Sequence, residues 1–282
     1  MRFALCTFAT ERGLLPGELA AAAEQLGFES LWFTEHSHIP TSRESPWPGG
    51  PDMPRYYQET LDPIVAMTAA AAATTTLRVA TGIALLVERD PIMFAKEIAS
   101  VDVLSGGRVE VGVGAGWNLE EMRSHGTDPS TRFRLLRERV EAVRAIWTTD
   151  PAEYHGTMVD FAPMHQFPKP RQQPHPRIHV GGAAPNGLRR ALRYGEGWIP
   201  IIGRGEDLLA SMARLDEYAA EEGRESTEDF QVTVYSCPPD APAIEAYEKA
   251  GVDRVLFFVD PENRDHAMEM LERRAALVEQ LS

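Results

Sequence analysis

Residues 77–116 read LRVATGIALLVERDPIMFAKEIASVDVLSGGRVEVGVGAG, and the pattern changes period twice along them. Leu77 to Leu86 is apolar and rich in β-branched residues, as a buried strand is. Asp90-Pro91 then supplies an N-cap and a proline suited to the first helical position. Phe94, Ile98 and Val101 line one helical face, and Ser105-Gly106-Gly107 closes the helix. Arg108 to Gly116 reads as strand again. A strand, a helix and a second strand in this order form a βαβ unit, whose two strands run parallel.

The unit recurs in both directions. Upstream, Arg2 to Phe8 is a strand, Pro16 opens a helix with Leu19, Ala22, Ala23 and Leu26 on one face, and Gly27 ends it. Ser30 to His36 is the second strand, and Asp62-Pro63 caps an Ala-rich helix to Thr74. Downstream, Phe133, Leu136, Val140, Val143 and Trp147 mark a helix face. Arg177 to Gly182, Gly197 to Ile201, Phe230 to Ser236 and Arg254 to Val259 are four more strands, with helices from about Pro185, Glu206, Asp240 and Asn263. Eight such units predict a closed (β/α)8 TIM-like barrel, a single domain over 1–282. A doubly wound open sheet is the alternative, but it usually carries a phosphate fingerprint in its first βα turn, and Thr7 to Leu14 holds one glycine. Long loops are expected after strands 2 and 4, at Ser37 to Leu61 and about Asp150 to His175, both on the end where barrel active sites lie.

The formal net charge of −14 and a pI near 5.1 repel polyanions, so nucleic acid and anionic membranes are poor partners and a small molecule is the better one. Cys6 and Cys237 are far apart and outside any ligand spacing, which predicts free thiols and no metal site. With no secretory pattern at Met1 to Phe8 and no apolar run of roughly 20 residues, a soluble, cytoplasmic protein is expected.

Thr34-Glu35-His36 ends the second strand, where barrel enzymes place catalytic groups. His36 is the first catalytic candidate, because imidazole ordinarily titrates near neutrality. The competing reading is a structural histidine bonded to a carbonyl. His38, in the loop, reads as solvent-exposed. The alternation Gly112-Val113-Gly114-Ala115-Gly116 leaves one strand face bare, either for a flat ring against the backbone or to make room for a bulky neighbour. Gly82 within the third strand signals a bulge or a close backbone approach. Gly181-Gly182 before a helix start brings backbone N–H groups together as an anion site, or forms an ordinary turn; Arg189 and Arg190 neutralise an anion or face water. Trp117 and Asn118 stand at the end of the fourth strand. Trp47, Tyr56 and Tyr57 in the first long loop either cover a ligand or form a satellite core, and the loop suits a gate.

Together these segments resemble the luciferase-like monooxygenase superfamily, most closely its deazaflavin-dependent oxidoreductases of actinobacterial type. The likeness runs through Ala23-Glu24-Gln25-Leu26-Gly27-Phe28, Leu31-Trp32, Glu35-His36, Ala95-Lys96 and Leu104-Ser105-Gly106-Gly107-Arg108. It continues through Gly112 to Trp117 with Glu120, Val180-Gly181-Gly182 and Gly195-Glu196-Gly197-Trp198. The resemblance implies a ring lying across a strand-3 bulge with a non-prolyl cis peptide at Gly82-Ile83. It also implies Ala115 and Gly116 beside the ring, and phosphate on the backbone of Gly181 and Gly182. His36 would handle a proton, and Trp47, Tyr56 and Trp117 would line the substrate. The implied coenzyme is F420, a deazaflavin, with FMN as the alternative, in a homodimer. Where sugar-phosphate dehydrogenases of this superfamily carry a glutamate, Trp117 stands here, which argues against sugar-phosphate oxidation. The superfamily also often has long inserts before the last strand, whereas only Cys237 to Asp253 lies there.

The function read from this is hydride transfer between F420 and a small organic substrate. An FMN-dependent monooxygenase fed by a separate reductase is the second reading, and a non-catalytic flavin-binding protein the third. A barrel aldolase or isomerase wants a lysine or a carboxylate cluster at strand ends, and Lys96, Lys169 and Lys249 are the only lysines.

Overall fold

The Asp-Pro pairs act as their chemistry dictates. In the computed structural model, which describes residues 1–281, the Asp62 carboxylate accepts the N–H groups of Ile64 and Val65 at 2.9 and 3.0 Å. That of Asp90 accepts Met93 N–H at 2.9 Å. Each cap stops the preceding loop and starts a helix at a set point, which fixes where the neighbouring strand must begin.

The strands are β1 (Arg2–Thr7), β2 (Ser30–Phe33), β3 (Arg78–Leu85), β4 (Val109–Gly114), β5 (Ala152–His155), β6 (Asp160–Met164), β7 (Ile178–Gly181), β8 (Gly197–Ile199), β9 (Gln231–Val234) and β10 (Arg254–Phe258). The helices are α1 (Pro16–Gln25), α2 (Tyr56–Glu59), α3 (Pro63–Ala72), α4 (Pro91–Leu104), α5 (Leu119–Ser124), α6 (Arg132–Thr148), α7 (Asn186–Tyr194), α8 (Leu208–Ala213), α9 (Leu215–Glu221), α10 (Ala241–Lys249) and α11 (Arg264–Leu281). Eight strands close a parallel barrel in the order β1, β2, β3, β4, β7, β8, β9, β10, and β10 returns to β1 with Arg2 opposite Arg254. The expected barrel is therefore present.

Strand alternation splits the core in two. Ala4, Cys6, Trp32, Ala80, Ile199 and Leu256 pack inside the barrel, while Leu5, Leu31, Val79 and Val111 face the helices in the larger outer cluster. Both cysteines are free and buried, and burial pushes each thiol up to about 12.

One expectation fails. The segment from Asp150 to His175 joins the end of α6 to the start of β7, so it lies at the N-terminal end of the strands and not at the active-site end. It forms the antiparallel pair β5 and β6, and its Gln172 bonds Asp102 and the Val109 carbonyl at the strand entrance. Only the loop after β2 is a long strand-end loop of the kind expected.

Candidate active site

Leaving β2, three consecutive side chains take three directions. Thr34 Oγ1 donates to the Gly82 carbonyl at 2.9 Å and so receives the Tyr235 hydroxyl at 2.8 Å. Glu35 accepts Leu85 N–H and Arg89 Nε, both at 2.6 Å, which ties β2 to the end of β3. His36 points into the strand-end chamber, 8% exposed, with Nδ1 2.7 Å from Glu121 Oε2. The Trp117 indole donates to His36 Nε2 at 3.4 Å. Phe8 stacks on the imidazole at 6.5 Å, and Tyr57 lies 5.3 Å from it. Tyr56 packs on Tyr57 and Phe8, and Trp47 meets the edge of Tyr57 at 5.7 Å. The loop aromatics thus roof the histidine, with Tyr57 nearer than the expected Tyr56 and Trp47.

The peptide Gly82-Ile83 is cis, and the β3–β4 register shifts between Thr81 and Ala84. This irregularity turns Ile83 inward, where it fills the bare face of β4. A Cβ on Gly114 would overlap Ile83 Cδ1, and one on Gly181 would come within 3.0 Å of it. A Cβ on Gly112 would overlap the Thr81 carbonyl and approach Ile199 Cδ1 to 2.9 Å. The glycines of β4 make room for neighbours, and a ring would have to lie above Ile83. Ala115 and Gly116 form the turn just beyond, with Gly116 at φ +70°.

At the end of β7, Gly182 has φ +143° and lies against α7, where a Cβ on Gly187 would overlap its backbone. Its N–H already donates to the Ile199 carbonyl at 3.2 Å and its carbonyl accepts the Trp198 indole at 2.7 Å, so that N–H is not free for phosphate. The cations nearby differ from expectation too. Arg189 pairs with Glu221 and Glu222. Arg190 has no carboxylate partner among the described residues, and its Nη2 would lie 3.3 Å from a Cβ on Gly182. Arg190 and Arg132 cover the Phe133 ring at 4.0 and 4.4 Å, so Phe133, placed in the core from its spacing, is instead 40% exposed. Arg190 beside the glycine turn and Arg132 across Phe133, neither with an acidic partner among the described residues, fit a phosphate or another anionic tail.

A model of the luciferase-like monooxygenase family matches residues 16–278. The chain belongs to that family. An uncharacterized protein of Mycobacterium tuberculosis is 39% identical over 98% of both chains. An F420-dependent glucose-6-phosphate dehydrogenase of Amycolatopsis mediterranei is 28% identical over 77% of this chain and 62% of its own. Among solved structures, an F420-dependent secondary alcohol dehydrogenase in complex with an F420-acetone adduct superposes with a TM-score of 0.77 at 18% identity, covering all of both chains. Members of the family are oxidoreductases, and this chain is a luciferase-like oxidoreductase.

In this luciferase-like enzyme, α5 supplies groups that the sequence did not single out for chemistry. Glu121 is fully buried; besides His36 it accepts Ser37 N–H at 2.9 Å, while Glu120 accepts Ser45 N–H at 2.9 Å and the Ser45 hydroxyl. The root of the long loop is therefore fastened to α5, and its aromatic part lies beyond that anchor. His36 itself lines a cavity of about 350 Å³, together with Glu35, Ser37, Asp62, Glu88, Arg89 and His125. Burial first, then the carboxylates of Glu121 and Glu35, push Glu88 up to about 9, and its Oε1 has no partner. A larger cavity, about 770 Å³, opens at the opposite end among Arg2, Glu29, Arg78, Glu110 and Arg177. There Arg78 pairs with Glu110 at 2.9 Å and Arg254 with Glu29 at 2.9 Å. Cross-linked charges at strand starts hold the barrel together and leave chemistry to the other end.

Proposed function

We propose that this enzyme transfers hydride between coenzyme F420 and a small, largely apolar alcohol or carbonyl compound. The observation that carries the reading is the His36 imidazole, held between Glu121 and Trp117 under an aromatic roof at the strand ends. The coenzyme supplies or accepts the hydride. His36 moves the matching proton at Nε2, Tyr56, Tyr57 and Trp117 exclude water, and Arg190 with Arg132 takes the coenzyme's anionic tail. Gly181, Gly182, Ala115, Gly116 and the Gly82-Ile83 peptide form the floor beneath the ring. An F420-dependent relative over 77% of the chain supports this coenzyme. Trp117 at the acid position speaks for a substrate other than a sugar phosphate.

Titrating the purified protein separately with F420 and FMN, and following coenzyme fluorescence, tests the choice. Binding of F420 and its turnover without oxygen uptake are expected. Oxygen consumption with reduced FMN, and no affinity for F420, would replace this reading with a monooxygenase. Within the expected activity, His36→Asn keeps size and hydrogen bonding but cannot carry a proton at neutral pH. It should lower turnover at saturating substrate by roughly 10²-fold or more while leaving coenzyme affinity near the parent's.

A further inference from the structure

Two neighbours on opposite sides of the His36 ring make independent demands on its protons. A carboxylate only accepts hydrogen bonds, so the 2.7 Å contact of Glu121 Oε2 requires a proton on Nδ1. An indole N–H only donates, so the Trp117 contact at 3.4 Å requires a lone pair on Nε2. Both specify one tautomer. Among the described residues nothing else around the ring competes with Glu121. Phe8 and Tyr57 flank the imidazole without charge at neutral pH, and Glu88, the nearest carboxyl behind Glu121, is held in its neutral form by burial and by its acidic neighbours. Arg89 is engaged by Glu35, Asp62 and Glu97, and His125 and His38 meet the Ser37 hydroxyl on the solvent side.

We infer that Glu121 is the positioning residue of this site: it locks His36 as the Nδ1–H tautomer, which makes Nε2 the atom that exchanges a proton with substrate. In the oxidising direction the substrate O–H takes the place of the indole N–H at Nε2, and the O–H bond breaks as its proton passes to that nitrogen. A bound F420 would take the hydride from the carbon that bears this oxygen as its C–H bond breaks, and a C=O bond forms. The imidazolium so created stays beside the buried carboxylate, which offsets its charge in a place with little water. The other Glu121 oxygen holds Ser37, so the loop root and the imidazole share one anchor. This inference rests on the hydride-transfer reading for its catalytic half only.

Its test begins without coenzyme. In the full chain labelled with ¹⁵N-histidine, the His36 resonances should report a protonated Nδ1 and an unprotonated Nε2 at neutral pH. Glu121→Gln keeps the side-chain shape, but its amide NH₂ faces Nδ1 while its oxygen still receives Ser37 N–H, so the proton should move to Nε2. Trp117→Phe should leave the proton on Nδ1, because the carboxylate dictates it. With F420 and substrate, Glu121→Gln should lower turnover at saturation by about 10²-fold or more with KM and coenzyme affinity unchanged. A parent protein with the proton on Nε2 overturns the inference, and so does a tautomer that follows Trp117. Full turnover in a Glu121→Gln variant whose tautomer has reversed overturns it equally. If Glu121→Gln does not fold, the parent and Trp117→Phe spectra still decide. If neither F420 nor FMN supports turnover, the functional reading falls while the tautomer remains settled by the spectra.

Discussion

Glu88 sits among carboxylates with no partner for Oε1, and its raised titration has a sign that can be worked through. The folded state keeps this proton up to about pH 9, whereas the unfolded chain releases it near the ordinary carboxyl value. Folded molecules therefore bind more protons between those limits, and stability falls as pH rises through them, by up to about 1.4 kcal/mol per pH unit. Glu88→Gln has the same shape and no proton to lose, so its stability should decline less from pH 5 to 9 and exceed the parent's at pH 8. Parallel denaturant midpoints across that range would contradict the assignment. His36 and Trp117 were legible in the sequence because each closes a strand at the end where barrels do chemistry. Glu121 and Glu88 were not: no spacing in the sequence ties them to His36, and only tertiary packing sets the fully buried Glu121 against its imidazole.

At the scale of elements, strand and helix positions were readable because caps and periodicity agree, as at Asp62 and Asp90. The β5–β6 pair escaped because its strands are short and the second contains Pro163. Its place at the barrel's N-terminal end follows from connectivity: helix to strand, never strand to helix. The glycines of β4 divide into two kinds. Gly112 faces a backbone carbonyl that cannot retreat, so Gly112→Ala should cost about 1–3 kcal/mol or more by overpacking. Gly114 faces only the tip of Ile83. Adding Ile83→Ala should therefore recover much of the loss in Gly114→Ala and little of the loss in Gly112→Ala. Thermal midpoints of the singles and doubles measure this, and equal rescue at both sites would reject it.

Across the whole molecule, the two barrel ends do different work. At the N-terminal end Glu110 touches His179 at 2.6 Å and Arg78 at 2.9 Å, with Arg254 close by. Burial alone would raise its titration, but the His179 hydrogen bond and charge, then Arg254 and Arg78, hold it well below the usual carboxylate range. Its contribution is present above the ordinary carboxyl value and is lost as pH falls. Glu110→Gln takes the anion from Arg78 and His179, while Arg254 keeps Glu29, and should cost about 1–3 kcal/mol of stability. Coenzyme affinity, which the proposed site sets at the far end, should not change; a loss of affinity in a variant still folded at the assay temperature would break this division. Such end-to-end specialisation is possible because β10 closes the circle against β1. A chain growing from a ribosome cannot complete that circle until Arg254–Phe258, the last of the barrel strands, has emerged. Until then β1 and β9 offer open parallel edges, the kind of surface that other nascent chains can pair with. Late ring closure thus makes protection during translation, by folding chaperones or slow crowd-free synthesis, a determinant of yield quite apart from the stability of the finished barrel.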